Sequence, residues 1–149
     1  MGSVVLALTM IVDVNCEEAY MGLFSVRLPV IAALQGGLLV GDAVADLNRV
    51  GTIELRSVVD PKGKCVGSFR FTDAKTGVAD MHCNDGATAR LSFSALSSFS
   101  GYGSGSTPNG PASFACGLRP QVAALHLILP PGKKLVEGRE GLILESAKS

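Results

Sequence analysis

Apolar and polar residues alternate with a period of two along residues 51–117, and turn-forming residues interrupt the alternation at short intervals. This pattern is typical of antiparallel strands joined by tight hairpins, because successive side chains of a strand point to opposite faces. We therefore predict an all-β fold, an antiparallel meander of tight hairpins that closes as a small barrel or curls as a sheet. One short helix is expected near residues 120–127, because Pro120 suits the first turn of a helix.

The first predicted hairpin lies around the segment Asp73–Gly77. If Asp73 opposes Gly77 across a three-residue loop, Phe71 lies opposite Ala79 and Phe69 opposite Met81, so that all the apolar side chains share one face. Gly77 is expected to supply a positive φ in this turn. The sequence therefore predicts a sheet with one apolar face. A barrel closure, the helical segment 119–129 or a second chain must cover this face.

Two further turns agree with the same apolar face. Asn84-Asp85-Gly86 is a three-residue turn signal that pairs Cys83 with Ala87, and Gly86 can take the left-handed conformation there. Pro108-Asn109-Gly110 predicts a third hairpin, and residues 135–144 a last one. Glycines at 101, 103 and 105 fall on one side of a strand, where the lack of side chains allows the backbones to approach closely.

The N-terminal part of the chain has a different pattern. Arg27 precedes a mostly apolar run, Leu28–Val40, and Ala43-Val44-Ala45 follows, which is the order of a secretory signal peptide. We predict a signal peptide that starts at Met21, with residues 1–45 as an N-terminal apolar segment and residues 46–149 as a single β domain. The alternatives are a buried N-terminal helix or strand and an uncleaved membrane anchor, although the run is short for a stable span.

The cysteines bear on the compartment. Cleavage after Ala45 would leave Cys65, Cys83 and Cys116 in the mature chain, and disulfides persist in exported proteins. In the register above, Cys65 and Cys83 share a face two positions apart, which makes them the candidate disulfide. The alternative is that all three are small buried hydrophobic residues. The cysteine spacings and the two histidines do not match a zinc site.

Composition and charge exclude several classes of function. Hydrophobic residues make up 47% of the chain and charged residues 17%, so a wholly disordered chain is excluded. The chain has 13 basic and 13 acidic residues, and this balance gives no basic surface for nucleic acid. The sequence therefore predicts no nucleic-acid partner and no stable membrane span, and it does not indicate an oligomeric state.

The densest polar cluster lies around the second turn. Asp80, His82 and Asp85 are the weak candidates for a polar site there. His82 and Cys83 are adjacent in a strand and should point to opposite faces, which argues against a Cys-His nucleophilic pair. An isolated Asp-x-His has too few ligands for a metal site. We therefore assign no catalytic residue, no cofactor and no metal from the sequence.

These features resemble small exported bacterial all-β proteins of uncharacterised function. The resemblance covers roughly residues 62–135 and implies export and an all-β fold. It brings no known active site that could be assigned to residues of this chain. The residues that carry it are Gly63, Gly67, Asp73, Gly77, Cys83, Asp85, Gly86, the run Gly101–Gly105 and the segment Leu129–Lys133.

The sequence favours a non-enzymatic exported domain, periplasmic or secreted, that binds a protein or a component of the cell envelope. One alternative is a small hydrolase or metal-dependent enzyme that uses Asp80, His82 or Asp85. Another is a subunit of a larger assembly in which residues 1–45 are folded.

Overall fold

The computed structural model describes residues 20–21, 25–34, 36–139 and 141–147. These residues form eleven strands and one short helix, as the sequence predicts for an all-β chain. The helix α1, Pro120–Ala123, continues as a single 3-10 turn, Ala124–His126. The strands are β1 Tyr20–Met21, β2 Ser25–Leu34, β3 Gly37–Asp46, β4 Val50–Ser57, β5 Lys64–Phe71, β6 Thr76–Cys83, β7 Thr88–Ser97, β8 Ser100–Thr107, β9 Gly110–Cys116, β10 Lys133–Gly138 and β11 Gly141–Ser146.

Strands β2 to β9 form an antiparallel meander that closes into an eight-stranded barrel. Closure occurs between β2 and β9, whose register pairs Val30 with Cys116 and Leu34 with Ala112. Closing the sheet removes the two open edges along these segments and buries the apolar face that the sequence predicts. The apolar face is therefore covered by barrel closure, the first of the three possibilities that follow from the sequence.

The β domain begins before residue 46. Strands β2 and β3 lie within the segment assigned to a signal peptide, and they pair with each other and with β9 and β4. The predicted boundary after Ala45 falls at the end of β3, so cleavage there would remove two strands of the barrel. Export and processing stay predictions. The β-branched residues at Val4–Val12 also allow a strand there, and this segment lies outside the described residues.

The first hairpin has a different register from the one predicted. Phe71 lies opposite Gly77, and Cys65 lies opposite Cys83, a shift of two positions that preserves the shared apolar face. The physical reason is the Asp73 carboxylate, whose Oδ1 accepts the backbone N–H groups of Lys75 and Thr76 at 3.0 and 2.9 Å and so forms the turn at residues 73–75.

Gly77 is not at a positive φ and lies within β6 instead. A Cβ atom built there would come within 2.4 Å of the Phe93 ring, so this glycine makes room for a large side chain inside the barrel. The predictions for the next two hairpins are confirmed. Met81 pairs with Ala89 across a turn in which Gly86 has φ +94°, and Thr107 pairs with Gly110.

Small and large residues alternate inside the barrel because an eight-stranded interior is just wide enough for side chains to fill it or for one small ligand. The predicted close approach of the β8 glycines is confirmed, since a Cβ on Gly105 would lie 1.9 Å from the Arg90 carbonyl oxygen. The buried inward-facing residues are Val30, Ala32, Leu34, Leu39, Ala43, Ile53, Leu55, Cys65, Ala79, Met81, Ala89, Leu91, Phe93 and Ala112.

The C-terminal segment packs on the outside of the barrel. Ser113 is fully buried on the outer face of β9, and its hydroxyl accepts the backbone N–H of Ile128 at 2.8 Å. Ile31, Leu38 and Ala115 face outward and are buried beneath α1 and the β10–β11 hairpin. The short helix near residues 120–127 and the last hairpin are therefore both confirmed, and they cover the outer face of β2, β3 and β9.

Candidate functional site

The two ends of the barrel differ. We call the end with the loops at residues 58–63, 84–87 and 108–109 the closed end, and the end with the loops at residues 47–49, 72–75 and 98–99 the open end. At the closed end, Cys65 and Cys83 form the predicted disulfide, with their Cα atoms 3.9 Å apart. This bridge ties β5 to β6 inside the barrel, beside the buried side chains of Leu34, Leu39 and Leu55.

The open end contains an apolar cavity of about 110 Å³, which we call the inner pocket. The described residues that line it include no Asp, Glu, Lys, Arg or His. The described lining residues are Leu28, Val30, Ala43, Ala45, Ile53, Phe69, Phe71, Phe93, Ala95, Ser97, Ser98, Ser100, Gly101, Tyr102, Phe114 and Cys116.

Four phenylalanines form the floor and wall of the inner pocket. The Phe93 ring is central, with its centroid 6.0 Å from that of Phe69 and 5.0 Å from that of Phe71, both in edge-to-face geometry. Phe114 lies 6.3 Å from it on the other side. Edge-to-face aromatic packing fixes ring orientations, so the pocket has rigid apolar walls.

A second cavity of about 460 Å³, which we call the outer groove, lies above the inner pocket at the same end. The two share lining residues, including Phe71, Ala95 and Ser97, so they form one continuous site. Leu47 and Leu96 line the outer groove and are 76% and 51% exposed, which is unusual for two large apolar side chains at one opening.

Arg49 holds two loops of the open end together. Its guanidinium donates to the carbonyl oxygens of Asp73 and Ala74 at 3.0 and 2.8 Å and lies 4.0 Å above the centroid of the Phe71 ring. The Arg49 backbone has φ +66°, a conformation that costs a non-glycine residue free energy and persists only when the surroundings hold it. These contacts hold the loops 47–49 and 72–75 together at the outer groove.

Hydrogen bonds at Asp73 lower the pKa of its carboxyl below the usual range, first from the Thr76 side chain and then from the Lys75 and Thr76 backbone N–H groups. A lowered native pKa means that ionisation of Asp73 stabilises the fold at pH values above the ordinary carboxyl pKa of about 4, and that this contribution is lost as the pH falls through the native pKa.

Asp73→Asn is therefore expected to lower stability at pH 7 and to have a smaller effect near pH 3, below the ordinary carboxyl pKa of about 4. Urea unfolding of both proteins at the two pH values measures this difference. An equal loss at both pH values would show that the charge of Asp73 does not stabilise the turn.

The structure does not bring the three sequence candidates together. Asp80 lies on the outer face of β6 with its carboxylate 3.5 Å from the Arg90 guanidinium, and His82 is exposed on the same face. Asp85 lies in the following turn, where its Oδ1 accepts the Ala87 N–H at 2.9 Å. Among the described residues, no group of three or more His, Cys, Asp or Glu side chains is placed to hold a metal ion.

Sequence reasoning missed the open end as a site. The only signal for it was the row of small inward residues, Ala43 and Ala45 on β3 and Gly51 on β4, beside the phenylalanines of β5 and β7. Small residues next to large ones at one level of a barrel leave space between them. The sequence alone does not show which residues lie at the same level, because the levels are set by the pairing of β2 with β9.

Within the described ranges, no helix has the length and apolar character needed to cross a membrane. Comparison of the chain with protein-family models, with curated proteins and with solved structures finds no match. The functional argument therefore depends on the geometry of the site.

Proposed function

We propose that this chain is a non-enzymatic, exported β-barrel domain that binds small molecules by taking an apolar end into the inner pocket. The observation that carries the proposal is an apolar cavity with aromatic walls at one end of a closed barrel. Eight-stranded barrels are wide enough inside to hold one small ligand. In the cell, the ligand would be an amphipathic component of the envelope.

The size of the inner pocket limits what enters it. An apolar cavity of roughly 150 Å³ holds a molecule the size of benzene. The inner pocket, at about 110 Å³, is smaller than that and accepts at most one ring or the end of one alkyl chain. The rest of the ligand must lie in the outer groove, where Leu47 and Leu96 offer further apolar contact.

The proposal of export to the periplasm or to the medium is supported by the Cys65–Cys83 disulfide, because structural disulfides are common in oxidising compartments and rare in the cytosol. The apolar run Leu28–Val40 no longer supports it, since β2 and β3 account for that run as barrel strands.

Binding of the neutral fluorescent probe N-phenyl-1-naphthylamine tests the proposal. We expect a saturable rise in probe fluorescence with one site per chain. Ala95→Trp should lower the affinity at least about tenfold, because Ala95 is half-buried where the inner pocket meets the outer groove and a larger side chain there blocks the passage.

Ala87→Trp is the matched control, with the same change in a half-buried alanine at the closed end. It should leave the affinity for the probe unchanged. Absence of saturable binding to the full chain, or equal affinities of the two variants, would contradict the proposal.

A further inference from the structure

Among the residues that the structure describes, the charges that line the outer groove are positive on balance. Arg49 and Lys75 line it together with one carboxylate, Asp46. The Asp46 Oδ1 accepts the backbone N–H of Asn48 at 2.8 Å. Asp73 lies near Arg49 but is outside the lining, and its Oδ1 accepts two backbone N–H groups. A ligand in the outer groove therefore meets two cationic side chains and one carboxylate.

The two cationic side chains, Arg49 and Lys75, differ in the contacts that they make within the protein. The Arg49 guanidinium donates to two carbonyl oxygens and stacks on Phe71, so it is held in place. Among the residues that the structure describes, the exposed Lys75 ammonium makes no ion pair. Lys64, by contrast, is paired with Glu54 at 2.8 Å. Lys75 is thus available to a ligand.

We infer that the ligand is an anionic amphiphile with a single alkyl chain, whose chain end occupies the inner pocket and whose head group lies beside Lys75 and Arg49. This inference depends on the proposed function and adds the class of ligand. The inner pocket has room for one chain end, which selects a single-chain molecule. The balance of charge in the outer groove selects an anionic head over a neutral or cationic one.

A series of ten-carbon amphiphiles tests the head group. Each compound displaces N-phenyl-1-naphthylamine from the full-length chain at low salt and neutral pH: decanoate, decyl phosphate, decanol and decylammonium. We expect both anions to bind more tightly than decanol, and decylammonium to bind least. The two anionic arms distinguish a carboxylate from a phosphate head, and binding by either one above decanol supports the inference.

Lys75→Gln is the test variant, because its ammonium has no structural contact to lose. It should reduce the preference for decanoate over decanol by about two- to fivefold, as expected for one exposed ion pair, and added salt should reduce the preference in the unmodified chain. Lys62→Gln makes the same change of charge in the loop 58–63 at the closed end and should leave the preference intact.

The outcomes separate the inference from the proposed function. Affinities of decanoate and decyl phosphate that both equal that of decanol, or equal effects of Lys75→Gln and Lys62→Gln, would overturn the anionic ligand while saturable probe binding upheld the pocket. Failure of the probe and of every amphiphile to bind would overturn both.

Discussion

A chain that lacks residues 1–45 is expected to lose its cooperative fold. The deletion removes β2 and β3, which leaves β4 and β9 as unpaired edges and exposes the inward side chains of Ile53 and Phe114 to water. Six strands cannot keep the curvature of an eight-stranded barrel around the same interior. We expect no cooperative thermal transition and no near-ultraviolet circular dichroism from packed aromatic rings.

Deletion of residues 1–19 alone is the matched control, because it removes none of the strands that the structure describes. This chain should unfold cooperatively. If residues 46–149 unfolded cooperatively at the temperature of the full chain, the barrel would not need β2 and β3, and a domain that begins at residue 46 would be supported.

Replacement of both Cys65 and Cys83 by serine should destabilise the barrel by about 3 kcal/mol. The bridge joins residues 18 positions apart and restricts the unfolded chain, and loops of this length give about that stabilisation. The melting temperature should fall on the order of 10 °C. Because the bridge lies at the closed end, the affinity for N-phenyl-1-naphthylamine at the open end should be unchanged.

Reduction with dithiothreitol provides the control for the disulfide. It should lower the melting temperature of the original chain and have no effect on the double-serine variant. No change in the original chain on reduction would contradict a stabilising bridge. Alkylation of the protein recovered from its host without reduction should leave Cys65 and Cys83 unmodified, and modification of both would contradict export to an oxidising compartment.

The sequence predicts the strands of the barrel best where one face of the strand is exposed to solvent. On β5, β6 and β7, polar outward residues alternate with apolar inward ones, so the inward positions of Phe69, Met81 and Leu91 follow from the pattern, and the structure confirms them. The register of one hairpin was wrong by two positions, because the pattern alone does not distinguish registers that keep the same face inward.

Strand β2 has the opposite problem. Its residues Val30–Leu34 are buried on both faces, on the inside by the barrel and on the outside by the C-terminal segment. A strand buried on both faces has a continuous apolar sequence, which periodicity cannot distinguish from a signal peptide. In the same way, Ala43-Val44-Ala45 matches a cleavage site, and its two alanines line the inner pocket of the barrel.

The candidate site could not be predicted from the sequence for a related reason. Ala45, Phe71 and Ala95 are far apart in the chain and meet only at one level of the closed barrel. Asp80 and His82, by contrast, are close in sequence but lie on the outer surface of β6. Proximity along the chain drew attention to the outer surface and not to the pocket, because the pocket is built from long-range pairings.

The most direct test of the account is where a bound alkyl chain lies. Nuclear Overhauser effects from the terminal methyl group of decanoate to selectively labelled methyl groups of the full-length chain measure this. The account predicts contacts with Val30 and Ile53, which line the inner pocket, and none with Leu39 or Leu55 at the closed end. Contacts only with the exposed side chain of Leu125 on the outside of the barrel would contradict it.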